Sequence, residues 1–329
     1  MNAASTDDTA GSRRAGRRSR DWLVLAVLGA AALALPFLLS DFSVSLAMTC
    51  LMYVVLASSW ALFCGSSRYL SLATSAFFGV GAYTSALLLG DWPWAAVLLA
   101  GAALATLLAL LVGAAVLHLR GTYFAMLTFG MSELILHAVT YVEKSVSGTV
   151  GRVLLTVPDN LTVYLSVLVL AVLAVAASIL VRGSRFGLAL TGIGADEQRA
   201  QTLGVDTRRV KIMGFCLTAA FAGAVGAAMA VRWTYIEPHG VFNPFIGFQT
   251  VLIALVGGAA TLWGPVVAAI VFTLVSEALR LQLPQVYMMA LGLLLILCVI
   301  YLPNGLASLR WSGRGASHGA AADRGGPQA

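Results

Sequence analysis

Two carboxylates lie inside apolar runs of this chain, each with a basic neighbour at helical spacing. Glu133 precedes His137 by four residues and Glu277 precedes Arg280 by three, so on a helix each pair shares a face. An ionisable group at the middle of a bilayer costs roughly 2.5–3.5 kcal/mol on insertion scales, so it turns to the inside of a helix bundle. For Glu133 three chemistries follow: lining a solute path, holding a proton, or hydrogen-bonding within the bundle, with His137 as a partner. For Glu277 the reading is a local ion pair with Arg280. A proton relay needs more buried acids than one Glu133.

The third concentration of polar chemistry is the segment 182–211. It carries Arg182, Arg185, Arg199, Arg208, Arg209 and Lys211, together with Asp196, Glu197 and Asp206. Its centre, Ala195-Asp-Glu-Gln-Arg-Ala-Gln-Thr-Leu203, reads as a short surface helix. Gly204 follows where a left-handed C-terminal cap belongs. A short helix presented by an otherwise apolar chain is a docking element for a soluble partner.

Several chemistries are excluded. The chain has no G-x-x-x-x-G-K-S/T phosphate loop, and its lysines are Lys144 and Lys211 alone. Any ATP that drives it is hydrolysed by another chain, and no cofactor is expected in this one. There is no H-E-x-x-H and no G-x-S-x-G. His118, His137, His239 and His318 are scattered, and Cys50, Cys64, Cys216 and Cys298 lie in apolar runs without metal-ligand spacing. No metal site and no enzyme activity is expected.

The elements that hold these groups are membrane spans. Of 329 residues, 60% are hydrophobic and 10% charged, against about 25% charged in a soluble domain. Repeated apolar runs near 20 residues define an all-α, polytopic transmembrane helical bundle. About ten spans fit: 22–40, 43–65, 69–90, 93–117, 121–141, 160–181, 212–232, 246–262, 265–283 and 286–303. The segments 69–90 and 246–283, rich in Gly and Ser or Thr, admit a broken or re-entrant helix. Ten spans put both termini in the cytoplasm. They leave Lys144, Arg152, Arg232 and Arg280 outside and the other sixteen of the 20 basic residues inside, as positive-inside topology demands. The net charge of +6 thus sets orientation and implies no nucleic acid. The chain divides into a basic cytoplasmic N-terminal tail (1–20), a transmembrane domain (21–305) containing the 182–211 loop, and a disordered cytoplasmic C-terminal tail (306–329). The longest outside loops are 142–159 and 233–244.

The seventh span carries small residues four apart: Ala219, Gly223 and Ala227 on one face, Ala222, Gly226 and Ala230 on another. Such faces let helix backbones approach closely.

Four stretches, in order, resemble the permease subunits of bacterial branched-chain amino acid ABC importers, specifically the LivM-like member of the usual pair. Leu70-Ser-Leu-Ala-Thr-Ser-Ala-Phe-Phe-Gly-Val-Gly-Ala-Tyr83 looks like the family's LSLGHAAFFGIGAY. Leu119-Arg-Gly-Thr-Tyr-Phe-Ala-Met-Leu-Thr128 is similar to LRGxYFAxxT. Ser184-Arg-Phe-Gly-Leu-Ala-Leu190, continuing through Glu197 to Gly204, looks like the cytoplasmic coupling loop. Val256-Gly-Gly-Ala-Ala-Thr-Leu-Trp-Gly-Pro265 resembles GGxGTLxGP. In the family's loop pattern E-x-A-A-x-x-x-G, Glu197 matches the Glu, Ala200 the second Ala and Gly204 the Gly; Arg199 replaces the first Ala, where it could pair with an acid on the ATPase. Ala73 and Thr74 stand in place of Gly-His, and residues 147–151 in place of a Thr-Gly-Gly run.

The resemblance implies a multi-pass permease of the bacterial inner membrane in an ATP-driven importer. Its partners would be a second permease subunit in a heterodimer, two cytoplasmic ABC ATPase subunits that hold ATP and Mg, and a periplasmic substrate-binding protein. Coupling falls to Glu197, Arg199, Ala200 and Gly204, with Phe186 and Gly187 as packing and hinge. Ser71, Thr128 and Glu133 are candidates for the translocation path. Branched-chain amino acids are the implied cargo. Urea or short amides are the alternative within the family, and a proton-coupled secondary transporter the alternative from another class.

Overall fold

The computed structural model describes residues 4–283 except 39, 120, 155, 156 and 234, together with a few positions between 285 and 293. The expected tenth span, 286–303, and the C-terminal tail fall almost wholly outside the described residues.

Helix follows helix through the described chain. The order is α1 (Ala4–Leu38), α2 (Asp41–Ser67), α3 (Thr74–Leu88), α4 (Trp94–Val116), α5 (Thr122–Ser147), α6 (Asn160–Arg182), α7 (Arg185–Ala195), α8 (Glu197–Thr202), α9 (Thr207–Ala230), α10 (Pro238–Val241), α11 (Pro244–Gly257) and α12 (Gly264–Gln282). Two-residue strands β1 (Arg152–Val153) and β2 (Tyr235–Ile236) pair antiparallel and join the loops expected on the outside. Among the described residues, eight helical stretches are long and apolar enough to cross a membrane, with α10 and α11 together counting as one. The protein is a polytopic helical bundle.

The sequence-expected span 69–90 is broken. A left-handed Arg68, φ 58°, ends α2, and helix resumes only at Thr74. At 15 residues α3 reaches about 22 Å, short of a 30 Å hydrocarbon core. Non-helical backbone inside a bundle must find partners in protein, and here it does. The Ser71 carbonyl accepts the Trp60 indole N–H at 2.9 Å, and the Leu72 N–H donates to Thr128 Oγ1 at 3.1 Å. Ser71 Oγ accepts the Ala73 N–H. Near the other expected break, Gly258 caps α11 in the left-handed region at φ 87°. Through the basic N-terminal segment the backbone is helical: α1 begins at Ala4 and runs on into the first span.

The small-residue helix α9 lies at the centre, packed against α2, α3 and α4. A Cβ on Gly81 of α3 would collide with the Gly223 carbonyl, and one on Gly101 of α4 would lie 2.9 Å from the Ala227 Cβ. Gly226 meets the Phe78 carbonyl in the same way. The Gly223 face of α9 thus receives both α3 and α4, and the Gly226 face receives α3, at backbone contact. Dispersion across such surfaces, rather than hydrophobicity, holds helices together in lipid. Side-chain hydrogen bonds tie further helices together: Tyr53 to Gln249 (2.8 Å), Tyr164 to the Ala32 carbonyl (2.7 Å), Trp94 to Ser166 (2.7 Å) and Trp263 to Asp21 (3.0 Å).

Gly81→Val forces α3 off α9, because the obstacle is backbone. The expected destabilisation is at or above the top of the ~1–3 kcal/mol range for overpacking, read by thermal unfolding of detergent-solubilised protein. Gly192→Ala, where a Cβ meets nothing within 4 Å, should leave the midpoint unchanged or raise it.

Candidate functional site: an ion pair buried beneath a short-helix loop

Between α6 and α9 the chain makes two short helices whose ends are fixed by local side chains. Ser184 Oγ accepts the Gly187 N–H at 3.2 Å and starts α7. Asp196 Oδ1 accepts the Gln198 and Arg199 N–H groups at 3.0 and 3.1 Å and starts α8. Asp206 Oδ1 does the same for Arg209 N–H and starts α9. Each is a side-chain N-cap, satisfying donors that have no intrahelical partner. α8 ends in a Schellman turn: Val205 N–H bonds the Ala200 carbonyl, Gly204 N–H bonds the Gln201 carbonyl, and Gly204 sits at φ 85°. The short helix and its glycine stop lie where the sequence places them, with the helix proper at Glu197–Thr202.

Beneath this loop lies a buried ion pair. Lys211 Nζ approaches Glu197 Oε1 at 2.8 Å, with side-chain exposures of only 5% and 9%. The ammonium also donates to the Leu117 carbonyl at 2.9 Å and to Tyr69 Oη at 3.3 Å. Tyr69 in turn donates to Glu197 Oε2 at 2.6 Å. All three ammonium donors and both carboxylate oxygens are used, the condition under which a buried polar network is stable. Leu117 caps the C-terminus of α4, where the helix dipole favours a cation. The ammonium also lies 4.7 Å from the Tyr69 ring centroid. Phe215, one turn beyond Lys211, packs on Phe63, Phe77 and Phe124 with centroids 5.2–6.2 Å apart, and Tyr69 packs on Phe124. These rings wall the pair off from water. The network unites α8, α9, the end of α4 and the loop before α3.

A second tie stands beside it. Arg182, the last residue of α6, donates to the carbonyls of Ala259 (3.2 Å), Ala260 and Thr261 (3.0 Å). It fixes the turn between α11 and α12 against the start of α7. Gly187 is packed on the Val181 carbonyl and Gly194 on the Ser66 carbonyl.

The structure places the sequence-selected residues as follows. Glu197 turns inward and Ala200 is 4% exposed, while Arg199 projects with its side chain 86% exposed, held by Asp196 at 3.1 Å. Gly187 is buried and Phe186 half-buried. Leu203 (84% exposed) and Leu188 (70%) are apolar side chains presented to the surroundings, and sequence reading passed over both. Ser71 and Thr128 are buried at 4% and 0%, with their oxygens engaged in the break before α3. Glu133 is half-buried, and no hydrogen bond or ion pair reaches it among the described residues, so no Glu133–His137 bond forms. The Glu277–Arg280 pair does form, at 2.9 Å. No group of three or more potential metal ligands occurs among the described residues.

Sequence reading also missed Glu143. Near the far end of α5 it is 5% exposed, accepts Tyr83 Oη at 2.7 Å and the Gly151 N–H at 3.1 Å, and pairs with Arg152 at 3.4 Å. The partners of Glu197 lie 14 and 128 residues away, which no local pattern exposes. The one available signal was Lys211 itself: a lysine just past an Asp N-cap, four residues before Phe215, belongs to the inner face of α9.

The fold and this site define a multi-pass membrane protein that anchors a short-helix loop through an internal ion pair. Residues 42–300 match the family described as branched-chain amino acid transport system / permease component, and the chain belongs to that family. It is 28% identical, over 88% of its length and 76% of the relative's, to the high-affinity branched-chain amino acid transport system permease protein LivM of Escherichia coli K12. The Salmonella typhimurium LivM is 27% identical over the same shares. The LivH permease protein of Escherichia coli K12 is 28% identical over only 40% of this chain and 42% of the relative. The likeness is therefore LivM-like along nearly the whole chain. No solved structure matches it.

Removing one member of a buried pair strands the other charge. Lys211→Met should cost about 3–5 kcal/mol and expose the loop to trypsin at Arg199. The double variant Lys211→Met/Glu197→Gln should recover much of both, since glutamine still accepts from Tyr69. Thermal unfolding and limited proteolysis read the two effects. A single variant as stable and as resistant as the parent would show that the pair does not hold the loop.

Proposed function

We propose that this chain is the transmembrane permease subunit of an ATP-binding-cassette importer for branched-chain amino acids, seated in a bacterial inner membrane. The single observation that carries the reading is the anchored loop. α7 and α8 sit on the surface but are tied through Glu197, Lys211 and Arg182 to α4, α9, the break before α3 and the α11–α12 turn. A loop that only connected spans would need no buried charge. Embedded in the bundle, this one moves helices whenever a partner moves it.

On this reading the loop lies in the cytoplasm and both termini with it, as the basic residues favour. Two ATPase subunits bind the exposed face of α7–α8 and hold the ATP and Mg. A second permease of the same family completes the membrane unit, and a periplasmic binding protein delivers the cargo. Glu197 and Ala200 act from inside, holding the loop to the bundle. Contact with the ATPase falls to Leu203, Leu188 and Arg199, the projecting side chains. ATP binding then rocks the bundle between inward- and outward-open states. The relatives' names supply the amino-acid cargo, and they are similar along most of this chain.

A tagged chain expressed with its chromosomal neighbours should bring down an ATPase, and the purified assembly in vesicles should accumulate leucine only with ATP. Leu203→Asp touches no packed group, so the chain should insert and unfold as before. Yet a buried apolar anchor lost from an interface is worth about 2 kcal/mol or more, so ATPase recovery should fall more than tenfold. Leucine uptake by the lone chain, or full ATPase recovery with Leu203→Asp, would defeat the reading.

A further inference from the structure

Along α5, Phe129, Glu133 and His137 are spaced four apart and share one face. The two outer members identify what that face looks toward. Phe129 packs on Phe248 of α11 at a centroid distance of 5.6 Å, and His137 stacks edge-on to His239 of α10 at 6.4 Å. Glu133 therefore faces the cleft between α5 and α10–α11, midway between an aromatic pair and an imidazole pair. It is half-buried with no hydrogen bond or ion pair among the described residues, while Phe248, His137 and His239 are exposed. Glu133 lies 11 residues into α5, about 17 Å along a helix 26 residues long, near the middle of the membrane.

Lipid tails are a poor neighbour for a carboxylate and two imidazoles at that depth, so this side of α5 meets water or a solute. α5 also exposes Tyr123 and Leu134 away from this face, while Met126 and Tyr141 border it with apolar or aromatic surface. The other two path candidates, Ser71 and Thr128, spend their oxygens on backbone. Among the described residues, Glu133 makes no such bond.

We propose that this cleft is a station on the translocation path, where Glu133 meets the ammonium group of a zwitterionic amino acid and Phe129 with Phe248 receives its apolar side chain. The assignment rests on the importer reading above and adds the residues and the charge by which the solute is recognised inside the membrane. The solute's carboxylate lies toward His137, one turn further along α5, and His239 of α10, whose ring N–H groups donate to it.

The test uses the complete transporter in vesicles, reading leucine uptake and ATP hydrolysis together. Glu133→Gln should lower uptake per ATP by about tenfold, the worth of one charge-assisted contact, while binding-protein-stimulated hydrolysis stays within about twofold. Glu133→Asp should retain most of the uptake. Glu133→Cys adds a charge test: a sulfonatoethyl thiol reagent should restore uptake, whereas aminoethyl and methyl reagents should not, each measured against the untreated parent. Undiminished uptake by Glu133→Gln, or equal effects of all three reagents, overturns the station and leaves the importer standing. If the parent assembly itself shows no ATP-driven uptake, the importer reading fails and the station with it.

Discussion

An ammonium and a carboxylate withdrawn from water together cost several kcal/mol each, and their attraction offsets this only when geometry is good and every remaining donor and acceptor is bonded. Lys211 and Glu197 meet that condition through Leu117 and Tyr69. Well-packed apolar side chains would serve stability as well or better, so stability alone does not account for the pair. What charge adds is direction. A leucine in place of Lys211 would accept many packings, whereas an ammonium bound to three oxygens from three segments accepts one. The pair fixes the register of α8 against α9 and against the end of α4, and the rest of this end of the molecule is built to suit.

Two features of the bundle follow from having such a point at one end. The first is the break before α3. Tyr69 can reach Glu197 only because α2 stops at Arg68 and the chain runs non-helically to Thr74. The freed Ser71 carbonyl and Leu72 N–H of that run are then met by Trp60 and Thr128. The second is the closeness of α3, α4 and α9. With Gly81, Gly101 and Gly223 at mutual backbone contact, these helices slide or tilt as one body rather than separately. A packed core of this kind has few intermediate arrangements, so displacement at the loop is not absorbed along the way.

Local chemistry was legible in the sequence and long-range pairing was not. The helix around Glu197, the Gly204 stop, the Glu277–Arg280 pair and the two small faces of α9 are all written within a few residues of one another, and the structure shows each. The interruption inside 69–90 was readable as a possibility because Gly and Ser weaken the helical pattern. What could not be read is which way Glu197 points. Its Tyr69 partner is 128 residues away, and the Tyr83–Glu143 contact spans 60. A one-dimensional pattern also did not reveal the partners of Ser71 and Thr128. Hydroxyls in apolar runs suggest a polar path, yet here they serve irregular backbone, and the two uses look alike until the partners are known.

The ties at the two ends differ in kind, and the difference bears on how motion would cross the molecule. At the loop end the bonds are charged, buried and complete. At the far end Glu143 gathers Tyr83, Gly151 and a partly exposed Arg152, beside a sheet of two two-residue strands. Arg152 is 38% exposed, so its pairing is screened and weak beside that of Lys211. α9 begins at the strong end and leads through its last residue to β2 at the weak one. α9 is held at backbone contact through Gly223 and Gly226, so it carries displacement as part of the packed body, and the loosely tied hairpin beyond it is where that displacement emerges. A push on α8 should therefore leave the Lys211 network intact and appear as a shift of the β1–β2 hairpin and α10. α10 carries His239, so the same movement would alter the cleft that Glu133 faces. The firm anchor and the loose latch together give a route from the surface loop to mid-membrane that requires no rearrangement of the core.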